Sequence, residues 1–194
     1  MTDMQLTNPR ISKKKYNLEE FLEFTKNKEE RYELIDGRIY MMASPSVGHQ
    51  DISGYIYRKL GNYLEGKICR PFIAPLDVVL FKKDKKKSQN VFQPDVFVVC
   101  DPKKISKDRI YGAPDLIFEV VSPSSKNQDY LTKFEVYMKH GVKEYWIINP
   151  ETKQITVYIK TKEKKEYNIY TFEDKIAVGI FEDLEIDMTE LRSV

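Results

Sequence analysis

The chain has 194 residues, 41% hydrophobic and 32% charged, a composition that suits a soluble globular core and argues against a disordered or membrane-embedded polypeptide. No apolar run approaches the roughly 18 residues of a membrane-spanning helix, and the polar start MTDMQLTNPRISKKK lacks the apolar stretch of an export signal, so the expected address is cytoplasmic. Thirty-two basic against 30 acidic residues leave a net charge of +2, and bulk charge alone therefore does not indicate nucleic acid.

The length fits one domain, spanning residues 1–194, with 1–15 expected as a flexible tail. Asn17, with Glu20 three positions on, forms a capping-box-like start, and Leu18, Phe21, Leu22 and Thr25 follow at helical spacing, predicting a short helix over 17–27. RYELIDGRIYMM then carries Asp36-Gly37 between β-forming segments, the preferred two-residue turn of a β-hairpin. After a loop, Ile52, Tyr55, Ile56, Leu60, Tyr63 and Leu64 repeat at three and four, predicting an amphipathic helix that packs on a sheet. Three strands are expected at Leu76 to Phe81, Pro94 to Val99 and Asp115 to Val121, the first two joined by the lysine-rich turn KKDKKK. A helix over Gln128 to His140 ends at Gly141, and VKEYWII forms a fourth strand before Asn149-Pro150. ITVYIK and EYNIYTF, around a charged turn, make a hairpin within a C-terminal extension over 151–194. The core order is thus helix, three strands, helix, strand, an α/β or α+β mixed sheet flanked by helices. The lysine clusters at 13–15, 82–87 and 162–165 read as solvated loops sooner than as phosphate-binding patches.

Cys69 and Cys100 are distant, form no CxxC pair and are expected as buried free thiols. His49 and His140 are too few and too separated for a zinc site, so any metal must be held mainly by oxygen.

The most informative segment is DLIFEVV. Strand alternation puts Leu116, Phe118 and Val120 on one face and Ile117, Glu119 and Val121 on the other, so both faces are apolar except for one carboxylate. A buried charge costs several kcal/mol, by order of magnitude, unless a cation or metal compensates it. Asp95 begins the preceding strand in QPDVFVV. If the two strands are neighbours, Asp95 and Glu119 form a pair of hard oxygen ligands of the kind that magnesium and manganese prefer. A turn aspartate bonding its own backbone is the alternative for Asp95. On the following helix Tyr130, Leu131, Phe134, Tyr137 and Met138 form the apolar stripe. Lys133 borders that stripe and can point at the sheet, or extend its ammonium to water.

QPD, PDLIFEVVSPSS, the helix with Lys133 and GVKEYWIINP, in that order, resemble the Uma2 family, formerly DUF820, which is classed with endonucleases of the PD-(D/E)xK superfamily. The resemblance runs from about Leu18 to Pro150, taking in YELIDGRI and His49. It implies a restriction-endonuclease-like fold, DNA as the partner, hydrolysis of phosphodiester bonds with Mg2+ or Mn2+, and a homodimer as the assembly. Asp95 and Glu119 match the two carboxylates of the superfamily, whereas its lysine position holds Val121. Lys133 fits a lysine that has migrated to the following helix, and Lys126 is the second choice. The resemblance further implies that Asp95, Glu119 and the Val120 carbonyl hold the metal, and that Glu33 and His49 complete the site, with Asp77 and Gln93 as additional candidates. The plainer alternatives are a hairpin glutamate in solvent, a helix-start histidine, a strand-end aspartate and a strand-end amide. The missing lysine at Val121 and the balanced charge keep open a noncatalytic nucleic-acid-binding or assembly module on the same fold.

Overall fold

The computed structural model describes residues 14–122, 132–160 and 165–191. The expected tail and Lys126 lie outside these residues, as do the start of the helix predicted from Gln128 and most of the charged turn of the C-terminal hairpin.

Helix α1 (Leu18–Thr25) begins as the sequence predicts: Asn17 Oδ1 accepts the Glu20 N–H while the Glu20 carboxylate accepts the Asn17 N–H, at 3.0 Å each. Strands β1 (Tyr32–Ile35) and β2 (Arg38–Met41) form the hairpin. Its turn has Asp36 at φ 46° and Gly37 at φ 77°, the left-handed pair that Asp-Gly supplies at little steric cost. Helix α2 (Val47–Leu64) is longer than its apolar repeat, because Ser46 caps it by accepting the His49 N–H and so adds a turn carrying His49.

The next strands are β3 (Arg70–Ile73), β4 (Val78–Leu80), β5 (Asn90–Phe92), β6 (Val96–Val99), β7 (Ile110–Tyr111) and β8 (Leu116–Val120). Helix α3 (Phe134–His140) ends on Gly141 at φ 102°, whose N–H reaches the Tyr137 carbonyl at 3.1 Å. Strands β9 (Glu144–Asn149), β10 (Gln154–Lys160) and β11 (Lys165–Thr171) follow, and a small ribbon of β12 (Lys175–Ala177) and β13 (Glu185–Asp187) completes the described chain.

Two larger sheets organise these elements. One has the order β11-β10-β9-β8-β6-β3, the other β2-β1-β5-β4-β7. Both are mixed: β8 and β9 run parallel across the α3 connection, and the other pairs of the six-stranded sheet are antiparallel. The expected mixed α/β architecture is present, and so is the order helix, three strands, helix, strand, as α2, β3, β6, β8, α3 and β9. The first of its three strands differs from the expected one. The segment from Leu76 to Phe81 enters the other sheet as β4, and β3, whose RPFI has little alternation, takes its place beside β6. Asp77 accordingly precedes a strand of the second sheet, not the first strand of the core.

Alternation along β8 divides the interior. Leu116, Phe118 and Val120 pack with α2 residues such as Ile52, Ile56 and Leu60, and with Ile176 and Ile186 of the small ribbon. Ile117 and Val121 pack on the other side with Val136, Tyr137 and Met138 of α3 and with Ile35, Leu80 and Phe92 of the second sheet. Helix α1 covers the far face of that second sheet through Leu18 and Phe21. No helix among the described residues is long and apolar enough to cross a membrane.

Cys69 and Cys100 are bonded as a disulfide, which corrects the expectation of free thiols. The antiparallel register that pairs Arg70 with Val99 sets the next two residues, Cys69 and Cys100, opposite each other despite a sequence separation of 31.

Candidate functional site

Glu119 lies on the α3 face of β8 and is only 3% exposed. Its environment explains how such a carboxylate is tolerated. Lys133 Nζ donates to Glu119 Oε1 at 3.1 Å, and the Tyr137 hydroxyl donates to the same oxygen at 2.9 Å. Lys133 and Tyr137 are four apart, so one face of the α3 segment delivers both donors. Burial, with the Glu119 charge adding to it, pushes the Tyr137 hydroxyl well above the usual tyrosine range, so it remains a donor at neutral pH.

Lys133 Nζ is also 3.1 Å from Glu33 Oε1, and the ammonium and both carboxylates are almost fully buried. Glu33 reaches it because β1 alternation turns Tyr32 and Leu34 toward α1 and leaves Glu33 facing the six-stranded sheet. The Gln93 backbone N–H donates to Glu33 Oε1 at 3.0 Å. Glu33 is therefore an interior group and not a hairpin residue in solvent.

Asp95 stands one position before β6. The β6–β8 register, Val96 to Phe118 and Phe97 to Ile117, continues to set Asp95 opposite Glu119. Opposed residues of antiparallel strands share a face. Asp95 Oδ2 accepts the Val120 N–H at 2.8 Å, a cross-strand bond in place of the self-bonded turn considered above. The same oxygen is 3.1 Å from His49 Nε2, brought in by the Ser46-capped start of α2. A proton on Nε2 donates to Asp95 and leaves Nδ1, a buried nitrogen without a hydrogen-bond partner among the described residues, as the acceptor nitrogen of the ring.

Asp95, Glu119, Val120, Lys133, Glu33 and His49 line one cavity of about 470 Å3. Gln93 and Asp77 do not line it. The Gln93 side chain turns away, donating from Nε2 to Asp77 Oδ1 at 3.0 Å, and Arg109 Nε reaches Asp77 Oδ2 at 3.3 Å. Of these two, only the Gln93 backbone touches the central cluster. Two lining or supporting groups were not singled out by sequence. Tyr137 counted there only as part of an apolar stripe, although a buried tyrosine hydroxyl ordinarily needs a partner. Arg31 carried no signal except its place two residues before Glu33.

The donor chemistry suits a hard divalent cation, since two opposed carboxylates share the cavity. Among the described residues no three of His, Cys, Asp and Glu stand together at metal-holding range. A magnesium-type ion is compatible with that, because one or two carboxylates with water and substrate phosphate complete its shell.

Comparison with known proteins gives the family and the fold. Residues 18–189 match the Uma2 family, described as "Putative restriction endonuclease". An uncharacterized protein of Synechocystis sp. is 30% identical over 147 residues, 75% of this chain and 75% of its own length. Among solved structures, one described as a "putative nuclease belonging to DUF820" from Anabaena variabilis superposes with a TM-score of 0.73 at 21% identity, covering 90% of this chain and 96% of that one, which establishes a shared fold. The match across most of the chain, containing every residue of the cavity described above, places this protein in the Uma2 family.

Proposed function

We infer that the cavity is the catalytic centre of a metal-dependent endodeoxyribonuclease that hydrolyses phosphodiester bonds in DNA. The observation that carries this reading is the opposition of Asp95 and Glu119 across β6 and β8, with a buried lysine bonded to the second carboxylate. Asp95 and Glu119, with the Val120 carbonyl, would hold Mg2+ or Mn2+. When bound, such an ion lowers the pKa of a coordinated water and neutralises charge on the phosphate.

The chain's own groups have separate tasks. Lys133, fixed between Glu33 and Glu119, places a positive charge beside the reacting phosphate and can orient the attacking water. Val120 N–H and His49 fix the rotamer of Asp95, and Tyr137 fixes that of Glu119. His49 Nδ1 is buried, so the histidine serves the site through its Nε2 contact with Asp95.

The test is incubation of purified protein with supercoiled, linear and single-stranded DNA in Mg2+ or Mn2+. Nicking is expected in the wild type and absent from Asp95→Ala and Glu119→Ala. Activity undiminished in both variants would remove these residues from the mechanism.

One observation favours a second reading, a noncatalytic nucleic-acid-binding module. One ammonium, Lys133, already bridges Glu33 and Glu119, so both buried carboxylates have a cationic partner without an ion. Metal-independent, salt-sensitive DNA binding without calorimetric uptake of Mg2+ or Mn2+ would select it over the nuclease.

A further inference from the structure

Resting on the nuclease reading, we propose that Arg31 is the substrate-phosphate clamp of this cavity, binding a nonbridging oxygen of the phosphodiester through its guanidinium. The backbone already fixes its direction. Met42 N–H donates to the Arg31 carbonyl at 2.9 Å, continuing the β1–β2 ladder one pair beyond Tyr32 and Met41. Arg31 and Glu33, two apart on this extended strand, share a face, with the arginine roughly 7 Å nearer the open end. Glu33 holds Lys133 at depth, and Arg31 is half-buried in the wall of the same cavity.

Charge distinguishes the two cations. Lys133 is committed to Glu33 and Glu119. The Arg31 guanidinium makes one hydrogen bond among the described residues, a long 3.4 Å contact from Nη2 to the neutral Ala43 carbonyl, and no ion pair. Most of its fork of donors is thus available to a ligand. Among the described residues, the ionisable groups lining the cavity are Arg31, Glu33, His49, Asp95, Glu119 and Lys133. Of these, three carboxylates face the two cations Arg31 and Lys133, a field that repels a phosphodiester unless a metal enters. Adding a divalent ion makes the lining net positive by one, which one phosphodiester charge cancels. Without Arg31 the lining and ion together are neutral, and the incoming charge is uncompensated. A guanidinium matches phosphate with two parallel N–H donors, which an ammonium cannot reproduce.

The experiment measures binding of a fluorescent 20-base-pair duplex by anisotropy, with Ca2+ replacing the ion that supports cleavage, alongside steady-state nicking in Mg2+ or Mn2+. Arg31→Ala should weaken duplex binding and raise KM about tenfold or more, the size of a charge-assisted hydrogen bond to phosphate. Arg31→Lys, which keeps charge and lacks the fork, should fall between that variant and the wild type. Lys83→Ala, which removes one exposed charge away from this cavity, should stay within about twofold, since a single surface charge contributes only a diffuse term. If Arg31→Ala does not fold, the lysine variant decides. Wild-type affinity and KM in Arg31→Lys and Arg31→Ala, or losses matched by Lys83→Ala, would overturn the clamp while leaving the nuclease reading in place. A wild type that neither binds nor nicks DNA would instead remove the nuclease reading and the clamp with it.

Discussion

Glu33 and Glu119 stand on different sheets and meet at one ammonium, with Lys133 Nζ 3.1 Å from Oε1 of each. The lysine therefore joins the two sheets at the depth of the cavity as well as giving both carboxylates a cationic partner. Replacing it by methionine keeps the apolar stem and leaves two facing carboxylates. Removing one partner of a buried ion pair costs about 3 to 5 kcal/mol. Urea unfolding of Lys133→Met at neutral pH should show a loss in that range, and Glu33→Gln in the same chain should recover part of it. A loss within about 0.5 kcal/mol, the ordinary size for a surface substitution, would mean that the ammonium is not what balances these groups.

Tyr137 supplies the second donor to Glu119 Oε1 at 2.9 Å and is fully buried. Tyr137→Phe removes the hydroxyl without opening a large cavity, since the ring packs against Phe92 and Tyr145. The expected loss is about 1 to 3 kcal/mol, that of an acceptor deprived of a buried donor. Chemical denaturation measures it, and an unchanged midpoint would show that Lys133 alone satisfies the oxygen.

His49 touches Asp95, not the phosphate, in the arrangement proposed above. In that arrangement it would act on a metal through the carboxylate it orients, and partners of that kind are worth roughly 10- to 100-fold in affinity. Calorimetric titration with Mn2+ should show His49→Ala weakened by about that factor, with Asp95→Asn and Glu119→Gln weaker still. Equal Mn2+ affinity in His49→Ala and wild type would confine the histidine to a structural role.

The sequence was most legible where short-range physics decides the outcome. Asn17 and Glu20 close a local capping box, Asp36-Gly37 adopts the left-handed turn that suits it, and Gly141 ends α3. Glu119 stood out because alternation along five residues places a lone carboxylate in an apolar strand. Features that depend on which strands pair were hidden. β3 lacks a clear alternating pattern and is ordered by β6, β4 was diverted to the second sheet, and Cys69 meets Cys100 only through the β3–β6 register. Glu33 could be read as an exposed hairpin residue because the layer covering its face comes from elements some hundred positions later. Tyr137 had two valid uses for one side chain, a ring in the core and a hydroxyl on Glu119, and periodicity registers only the first.

Glu144 offers a pH test away from the cavity. It is wholly buried at the start of β9, with Oε1 accepting Trp146 Nε1–H at 2.6 Å and Oε2 accepting the Ile180 N–H at 3.0 Å. It thereby fastens the C-terminal segment to the six-stranded sheet. Burial raises its pKa above the ordinary 4.5, and the donors from Trp146, Gly179 and Ile180 oppose that shift without cancelling it. The folded chain consequently holds this proton more tightly than the unfolded chain, and folding binds more protons within the window between the two values. By linkage, stability falls as pH rises through that window and levels above the raised value. Glu144→Gln has no such proton, so the stability of the wild type minus that of the variant isolates its contribution. That difference should decline as pH rises above about 4.5 and become flat once pH exceeds the raised value. Urea unfolding of both proteins across this range measures it. A difference that grows with pH would show that the three donors outweigh burial, and that the anion is the form the fold prefers.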